Sequence, residues 1–147
     1  MFGEGEDEPE KVGRERDIQV VEEFRANCGV LGGRFAGSTV LLLHAKGAKS
    51  GQIRITPVIY TKDGDRFVIA ASLAGAPNNP AWYYNLRANP VADVEIRTDR
   101  FQVRAELVEE PERARLLNQM IPAWPLFKEY LTRTTRVIPI FMLTRVN

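Results

Sequence analysis

Alternating apolar and polar positions divide the middle of the chain into short strands. An apolar run at 40–43 is followed by a turn at 47–51, and apolar residues then recur at every second position, at Ile53, Ile55, Pro57 and Ile59. A period of two on both sides of a glycine-containing turn is typical of a β-hairpin. The dipeptide Asp-Gly at 63–64 is a strong hairpin turn and predicts a third strand directly after it.

The same pattern continues in the second half of the chain. Two strands are expected to pair across a turn at 98–100, and the last strand contains Pro139, which favours an edge or a bulge. The predicted strands cover 39–45, 52–61, 66–72, 92–96, 101–107 and 137–144.

Steps of three and four residues between apolar positions predict helices on either side of these strands. A helix is expected from Arg16, with one apolar face made of Ile18, Val21, Phe24, Cys28 and Leu31 and a stop at 32–33. A second, short helix is expected up to Ala88, with Asn79 as its N-cap and Pro80 at its first position. A helix with Ala114, Leu117 and Ile121 on one face is expected after Pro111 and is broken at Pro122 and Pro125. A short helical segment is expected from Leu126 to about Thr134.

Six antiparallel strands with few, short helices predict a mainly β (α+β) fold, a six-stranded antiparallel barrel with an N-terminal helix. Residues 1–15 are acidic and poor in apolar side chains, so they are expected to form a flexible tail. Residues 16–147 are expected to form a single domain. The segment 73–90 would cross between the two hairpins and bring Ser72, Trp82 and Asn85 to the mouth of the barrel, beside Lys49.

The amino-acid composition excludes several kinds of metal site and catalytic site. With one cysteine and one histidine, the chain has no internal disulfide, no ordinary zinc site and no convincing catalytic triad. We therefore expect no metal. No apolar run approaches the roughly 18 residues that span a bilayer, and the acidic N-terminus is unlike a secretory signal. A cytoplasmic protein is expected, with peripheral membrane contact through the N-terminal helix left open.

Charge is unevenly distributed. Residues 1–17 carry seven acids and three bases, so residues 18–147 carry the remaining twelve acids and seventeen bases, a balance of +5. That excess suits a small anionic ligand and falls short of the dense cationic face of a duplex nucleic-acid binder.

The turn between the first two strands is the best candidate for such a ligand. Gly47 and Gly51 permit close backbone approach, while Lys49, Ser50 and Arg54 add two charges and a hydroxyl, which together favour a phosphate. An ordinary solvated hairpin with surface cations is the alternative. No acid–base pair accompanies the turn, and enzymes of this kind leave the difficult chemistry to a cofactor.

Three segments carry a resemblance to a known family. The sequences at 47–58 (Gly-Ala-Lys-Ser-Gly-Gln-Ile-Arg-Ile-Thr-Pro-Val), 79–90 (Asn-Pro-Ala-Trp-Tyr-Tyr-Asn-Leu-Arg-Ala-Asn-Pro) and 136–140 (Arg-Val-Ile-Pro-Ile) resemble the deazaflavin-dependent nitroreductase family. These oxidoreductases of mycobacteria and related actinobacteria use coenzyme F420 on a split β-barrel. The resemblance spans about residues 35–145, and the order and spacing of the three motifs make it specific.

The resemblance implies a cofactor site and a substrate site. It places the coenzyme's phosphate and acidic tail near Lys49, Ser50 and Arg54, and the deazaflavin ring along the backbone from Ile55 to Ile59. The implied cofactor-binding residues are Ala48, Lys49, Ser50, Arg54, Ile55, Thr56, Pro57, Val58, Ile59, Ala70, Ala71, Ser72, Trp82, Tyr83 and Asn85. The implied substrate contacts are Trp124, Phe127 and Tyr130, and the implied catalytic proton donors are Tyr130 and Ser72. Some relatives carry a basic residue where this chain has Leu73.

The implied reaction is hydride transfer from reduced F420 to a small molecule, namely a quinone, a nitroaromatic or a conjugated carbonyl compound. A monomer that binds no nucleic acid is expected. Two alternatives remain at this point: an enzyme of the same barrel that uses FMN, and a non-enzymatic binding module.

Overall fold

Six strands of the chain close into one barrel in the computed structural model, which describes residues 7–72 and 77–146. All neighbouring strands are antiparallel, and their order around the barrel is β1-β2-β3-β6-β5-β4. The predicted six-stranded antiparallel barrel is therefore confirmed. The strands are β1 (Val40–Lys46), β2 (Ile53–Asp63), β3 (Arg66–Ala70), β4 (Val91–Ile96), β5 (Asp99–Leu107) and β6 (Ile140–Val146).

Helices cover the barrel on two outer faces and at one end. The helices are α1 (Asp7–Ala26), α2 (Ala81–Ala88), α3 (Glu112–Ala123) and α4 (Leu126–Thr132), and a short 3₁₀ turn lies at Gly33–Phe35. Helix α2 connects β3 to β4 and is the predicted crossing between the two hairpins. Within the described residues, no helix is both long and apolar enough to cross a membrane.

Side chains at alternate positions of every strand fill the barrel, as the period of two requires. Leu43, Val94 and Val103 are fully buried there, and Trp82 and Leu86 of α2 pack into the same core. Burial of these apolar side chains stabilises the closed barrel and fixes α2 across its end.

The opposite set of positions packs against the other helices. Phe24 of α1 and Leu42 of β1, each 0% exposed, belong to one cluster on the outer face of β1 and β2. Phe127 and Leu116, from α4 and α3, pack with Ile140 on the outer face of β3 and β6. Strands β1, β3 and β6 therefore carry apolar side chains on both faces.

A polar cluster also fixes α1. His44 is 5% exposed, and its Nε2 lies 2.6 Å from Oε2 of Glu95. Arg25 of α1 donates to both oxygens of the same carboxylate, at 2.6 and 3.1 Å. The Arg25 guanidinium, followed by His44, holds the pKa of Glu95 below its usual range. His44 therefore has a structural role in this cluster.

The N-terminal helix differs from its predicted bounds at both ends. It begins at Asp7, inside the segment expected to be a flexible tail, while residues 1–6 lie outside the described part of the chain. It ends at Ala26, and Cys28 is exposed with a φ of 54°. The prediction that Cys28 packs in the core is wrong because the helical period stops two residues before it.

Two further local predictions are corrected. The turn between β4 and β5 is at Arg97 and Thr98, with Arg97 at a φ of 57°, one residue earlier than expected. Pro122 lies inside α3 and does not end it. The buried face of α3 carries Leu116 and Met120, whereas the sequence suggested a face one position away.

Candidate functional site

One edge of strand β2 is open where the sequence places the ring-binding backbone. Residues 53–59 pair with β1, but β3 pairs with β2 only from Tyr60 onward. Among residues 7–72 and 77–146, no strand pairs with the other edge of 53–59. That edge presents backbone N–H and C=O groups to any ligand lying beside Ile55 to Ile59.

The Lys49 turn lies at one end of this open edge. The N–H of Gly47 donates to the Gln52 carbonyl at 2.8 Å, and the N–H of Gly51 donates to the Gly47 carbonyl at 3.0 Å. The N–H of Gln52 donates to the hydroxyl oxygen of Ser50 at 3.1 Å. These backbone N–H groups already donate hydrogen bonds within the turn. An anion bound here would therefore contact side chains more than the backbone N–H groups that the sequence analysis favoured.

The two glycines of the turn differ in how strongly the turn needs them. Gly51 has a φ of +74°, a conformation that favours glycine. At Gly47 an added Cβ would displace the Ser50 hydroxyl and lie 3.3 Å from the Gln52 carbonyl oxygen.

Helix α2 holds the turn from the other side. The N–H of Ala48 donates to Oδ1 of Asn85 at 3.0 Å, and Nδ2 of Asn89 donates to the Lys46 carbonyl at 3.3 Å. Asn85 therefore lies beside the Lys49 turn, as the predicted crossing requires, and its half-buried amide has a protein partner.

Two of the three aromatic residues of α2, Trp82 and Tyr83, face the barrel. Trp82 is 8% exposed, and its ring lies 6.0 Å from that of Phe141. Tyr83 is half-buried, 5.8 Å from the same ring, and its hydroxyl accepts a hydrogen bond from Arg87. Trp82 thus packs as a core residue at the end of the barrel and can only border a ligand there.

Positive charge dominates this end of the barrel. Segments 46–56 and 77–91, which form the turn, the start of β2 and helix α2, contain Lys46, Lys49, Arg54 and Arg87 and no acidic residue. Arg54 is half-buried and pairs in register with Ala45, whose side chain is in the barrel core. It therefore lies on the inner face of β2 near the rim. Such a surface fits a ligand with phosphate and carboxylate groups.

The end of β3 forms the opposite border of the open edge. Ala71 packs in the barrel core, Ala70 packs in the outer cluster with Phe127, and Ser72 is 3% exposed. Leu73, which the resemblance singles out, lies outside the described residues.

Arg136 organises this border, and sequence reasoning missed its role. Its Nη1 donates to the Ala71 carbonyl at 3.1 Å and to Oδ1 of Asn79 at 2.5 Å, and its Nη2 donates to the Ser72 carbonyl at 2.9 Å. The prediction that Asn79 caps α2 is wrong: the N-cap residue is Pro80, no side chain caps the helix, and Asn79 binds Arg136 instead. The only hint in the sequence was the presence of Arg136 in the third motif.

The three predicted substrate residues lie together beside β3. The rings of Trp124 and Phe127 are stacked at 4.8 Å with an angle of 2°, and the ring of Tyr130 meets Trp124 edge-on at 5.5 Å. Phe127 is 0% exposed, whereas Trp124 and Tyr130 are half-buried. Phe127 therefore supports the ring of Trp124, which in turn contacts Tyr130.

Two cavities lie elsewhere. One of about 260 Å³ lies beside α3 and is lined by residues such as Arg66 and Glu112. The other, of about 240 Å³, lies at the opposite end of the barrel, between Tyr60 and Arg97. Neither is lined by a predicted site residue, so the candidate site is the rim along the open edge of β2.

Fold and site together define a six-stranded β-barrel protein with a cationic turn at one end of an open strand edge. Comparisons with known proteins identify the family. Residues 16–145 match the model of the F420H(2)-dependent quinone reductase family. An F420H(2)-dependent quinone reductase of Mycobacterium tuberculosis is 39% identical, over 83% of this chain and 85% of that protein.

Solved structures with a similar fold point to the same family. An F420-H2 dependent reductase (FDR-A) has a TM-score of 0.66 and 32% identity, covering 71% of this chain and 93% of that one. A structure described as a domain-swapped dimer has a TM-score of 0.67 and 30% identity, covering 92% and 98%. The chain belongs to the F420H(2)-dependent quinone reductase family. It is accordingly an oxidoreductase whose cofactor is coenzyme F420, which confirms the expected class, cofactor and split-barrel fold.

Proposed function

We propose that the chain binds reduced F420 along the open edge of β2 and uses it to reduce a quinone-type substrate held by the α3–α4 aromatic residues. The observation that carries this proposal is the unpaired edge at 53–59, which has the cationic turn at one end and the end of β3 beside it. A flat ring with a charged tail matches that combination.

The cationic turn is assigned to the coenzyme's phosphate and acidic tail. Lys49 and Arg54 supply the charge and Ser50 supplies a hydroxyl, while the bond between Ala48 and Asn85 keeps the turn against α2. Charge-assisted hydrogen bonds of this kind are among the stronger polar interactions in proteins.

The ring is assigned to the backbone beside Ile55, Thr56, Pro57, Val58 and Ile59. Ala70, Ala71 and Ser72 would border its reactive face, and Trp82 and Tyr83 would close the end of the barrel behind it. When bound, reduced F420 supplies a hydride. The task of the protein is to orient the reacting atoms, which can contribute about 7–11 kcal/mol to catalysis in favourable cases.

The substrate is assigned to the partly exposed rings of Trp124 and Tyr130, with Phe127 as their support. Flat aromatic walls bind flat acceptors, so quinones fit best, and nitroaromatics and conjugated carbonyl compounds share the geometry. Tyr130 or Ser72 would give the proton that follows the hydride.

Titration of the purified protein with F420, followed by F420 fluorescence, tests the cofactor proposal. Turnover of reduced F420 with menadione as a probe quinone tests the reaction. We expect saturable binding and menadione-dependent oxidation of reduced F420. Protein that ignores F420 but purifies with yellow FMN would overturn the proposal in favour of the FMN alternative.

The remaining features of the proposal concern partners and location. We propose a monomer that works in the cytoplasm and binds no nucleic acid. Peripheral membrane contact through α1, whose Ile18 is 51% exposed, stays open. Light scattering would detect a dimer, as in the domain-swapped neighbour, and vesicle co-sedimentation would detect lipid contact. Nucleic-acid binding that weakens steeply with salt, without any effect of F420, would support the binding-module alternative.

A further inference from the structure

The guanidinium of Arg136 joins two segments that border the candidate site. It reaches the carbonyls of Ala71 and Ser72, at the end of β3, and the side chain of Asn79, just before α2. These acceptors are 65, 64 and 57 residues away in the sequence. One half-buried side chain thus sets the distance between the strand end and the start of the helix.

A guanidinium suits this position better than any other side chain. Its planar fork carries five N–H donors in fixed directions, whereas a lysine ammonium is a point charge on a flexible stem. Among the described residues, it donates to two carbonyls and an amide oxygen. These contacts to neutral acceptors depend on the geometry of the guanidinium.

Helix α2 has two sets of ties. At its start, Pro80 offers no side-chain cap, and Asn79 is held by Arg136. At its other end, Asn85 and Asn89 bind the Lys49 turn. Arg136 and the turn therefore hold α2 from opposite ends, and only the second tie lies at the proposed phosphate site.

We propose that Arg136 is a positioning residue for the reaction: it fixes the Ala71–Ser72 strand end against α2, and with it the border of the ring site. The proposal rests on the proposed function, because it assigns Arg136 a part in that site. Misplacement of reacting groups by about 1 Å can reduce a rate by about 10²-fold. Loss of Arg136 should therefore lower the rate of hydride transfer far more than it weakens coenzyme binding.

Variants Arg136→Lys and Arg136→Met test this, with Arg100→Lys and Arg100→Met as matched controls. The Arg100 side chain lies near the start of β5, is 57% exposed and pairs with Asp93 at 2.9 Å. F420 affinity is measured by fluorescence, and the single-turnover rate is measured with reduced F420 and menadione. For both Arg136 variants we expect a rate at least about 10-fold lower, with the dissociation constant within about 3-fold of wild type. The Arg100 variants should match wild type.

Either of two results would overturn the inference: wild-type rates in Arg136→Lys, or rate and affinity falling together in both Arg136 variants. If neither Arg136 variant folds, as judged by circular dichroism, Asn79→Ala provides the test. It removes the acceptor that precedes α2, so its rate should fall while its affinity holds, and an unchanged rate would refute the role of Arg136. Failure of the proposed function would be seen separately, as wild-type protein that neither binds F420 nor reduces menadione.

Discussion

The backbone N–H of Ala48 donates a 3.0 Å hydrogen bond to Oδ1 of Asn85, 37 residues further along the chain. This bond joins the cationic turn to helix α2. The side-chain amide of Asn85, which the sequence predicts to contact the cofactor, therefore also holds the turn in place. The two roles can be separated by experiment.

Replacement of Asn85 by alanine should weaken F420 binding modestly. Loss of one neutral hydrogen bond costs about 0.5–1.5 kcal/mol, which is roughly 2- to 13-fold in the dissociation constant. Fluorescence titration measures the change. Asn118→Ala is a suitable control because Asn118 is an exposed helical asparagine on α3. A much larger loss would indicate that Asn85 also contacts the coenzyme directly.

Replacement of Arg54 by alanine should weaken F420 binding more strongly. A charge-assisted contact is worth about 1.5–3 kcal/mol, or roughly 10- to 150-fold in affinity. The same titration measures this effect, and thermal unfolding monitors the fold.

Arg100→Ala is the matched control, because Arg100 pairs with Asp93 at 2.9 Å and its side chain is 57% exposed. An unchanged dissociation constant in Arg54→Ala would remove Arg54 from the site.

The source of the proton can be distinguished with two variants. If Tyr130 donates it, Tyr130→Phe should lower the turnover rate by roughly 10²-fold or more while leaving F420 affinity unchanged. If Ser72 donates it, Ser72→Ala should do so instead. Menadione turnover at saturating reduced F420 measures both, with Tyr84→Phe as an exposed control. Full rates in both variants would assign the proton to water.

Stability should depend on pH through Glu95. Its pKa is lowered in the folded state, chiefly by Arg25 and then by His44. A carboxyl with a lowered pKa contributes stability above its unfolded-state pKa, and that contribution is lost as the pH falls through the folded-state value. Glu95→Gln should therefore be less stable than wild type at pH 7, and the difference should shrink below about pH 4.

Urea unfolding at a series of pH values measures this difference. Glu129→Gln serves as the control, since that side chain is 66% exposed and its pair with Arg133 is long, at 3.6 Å. A gap between wild type and Glu95→Gln that stays constant from pH 7 to pH 3 would show that the carboxylate does not act through its charge.

Much of the barrel could be predicted because its strands are marked locally. The alternation at Ile53–Ile59 and the Asp-Gly turn at 63–64 depend only on neighbouring residues, and both predicted the observed hairpins. Local reasoning failed at Cys28, where the apolar spacing continues but the helix has already ended. It failed again at Asn79, whose side chain prefers the distant Arg136 to the helix it precedes.

The sequence by itself determined the six strands, the crossing helix, the cationic turn and the motifs of an F420-dependent family, since periodicity, turn residues and motif spacing all act over short distances along the chain. Only the tertiary structure decided which edge of β2 stays open, that Asn85 holds the turn, and that Arg136 binds the strand end. These depend on how the barrel closes, because closure brings together backbone and side-chain groups 37 to 65 residues apart, and no local pattern specifies such pairs.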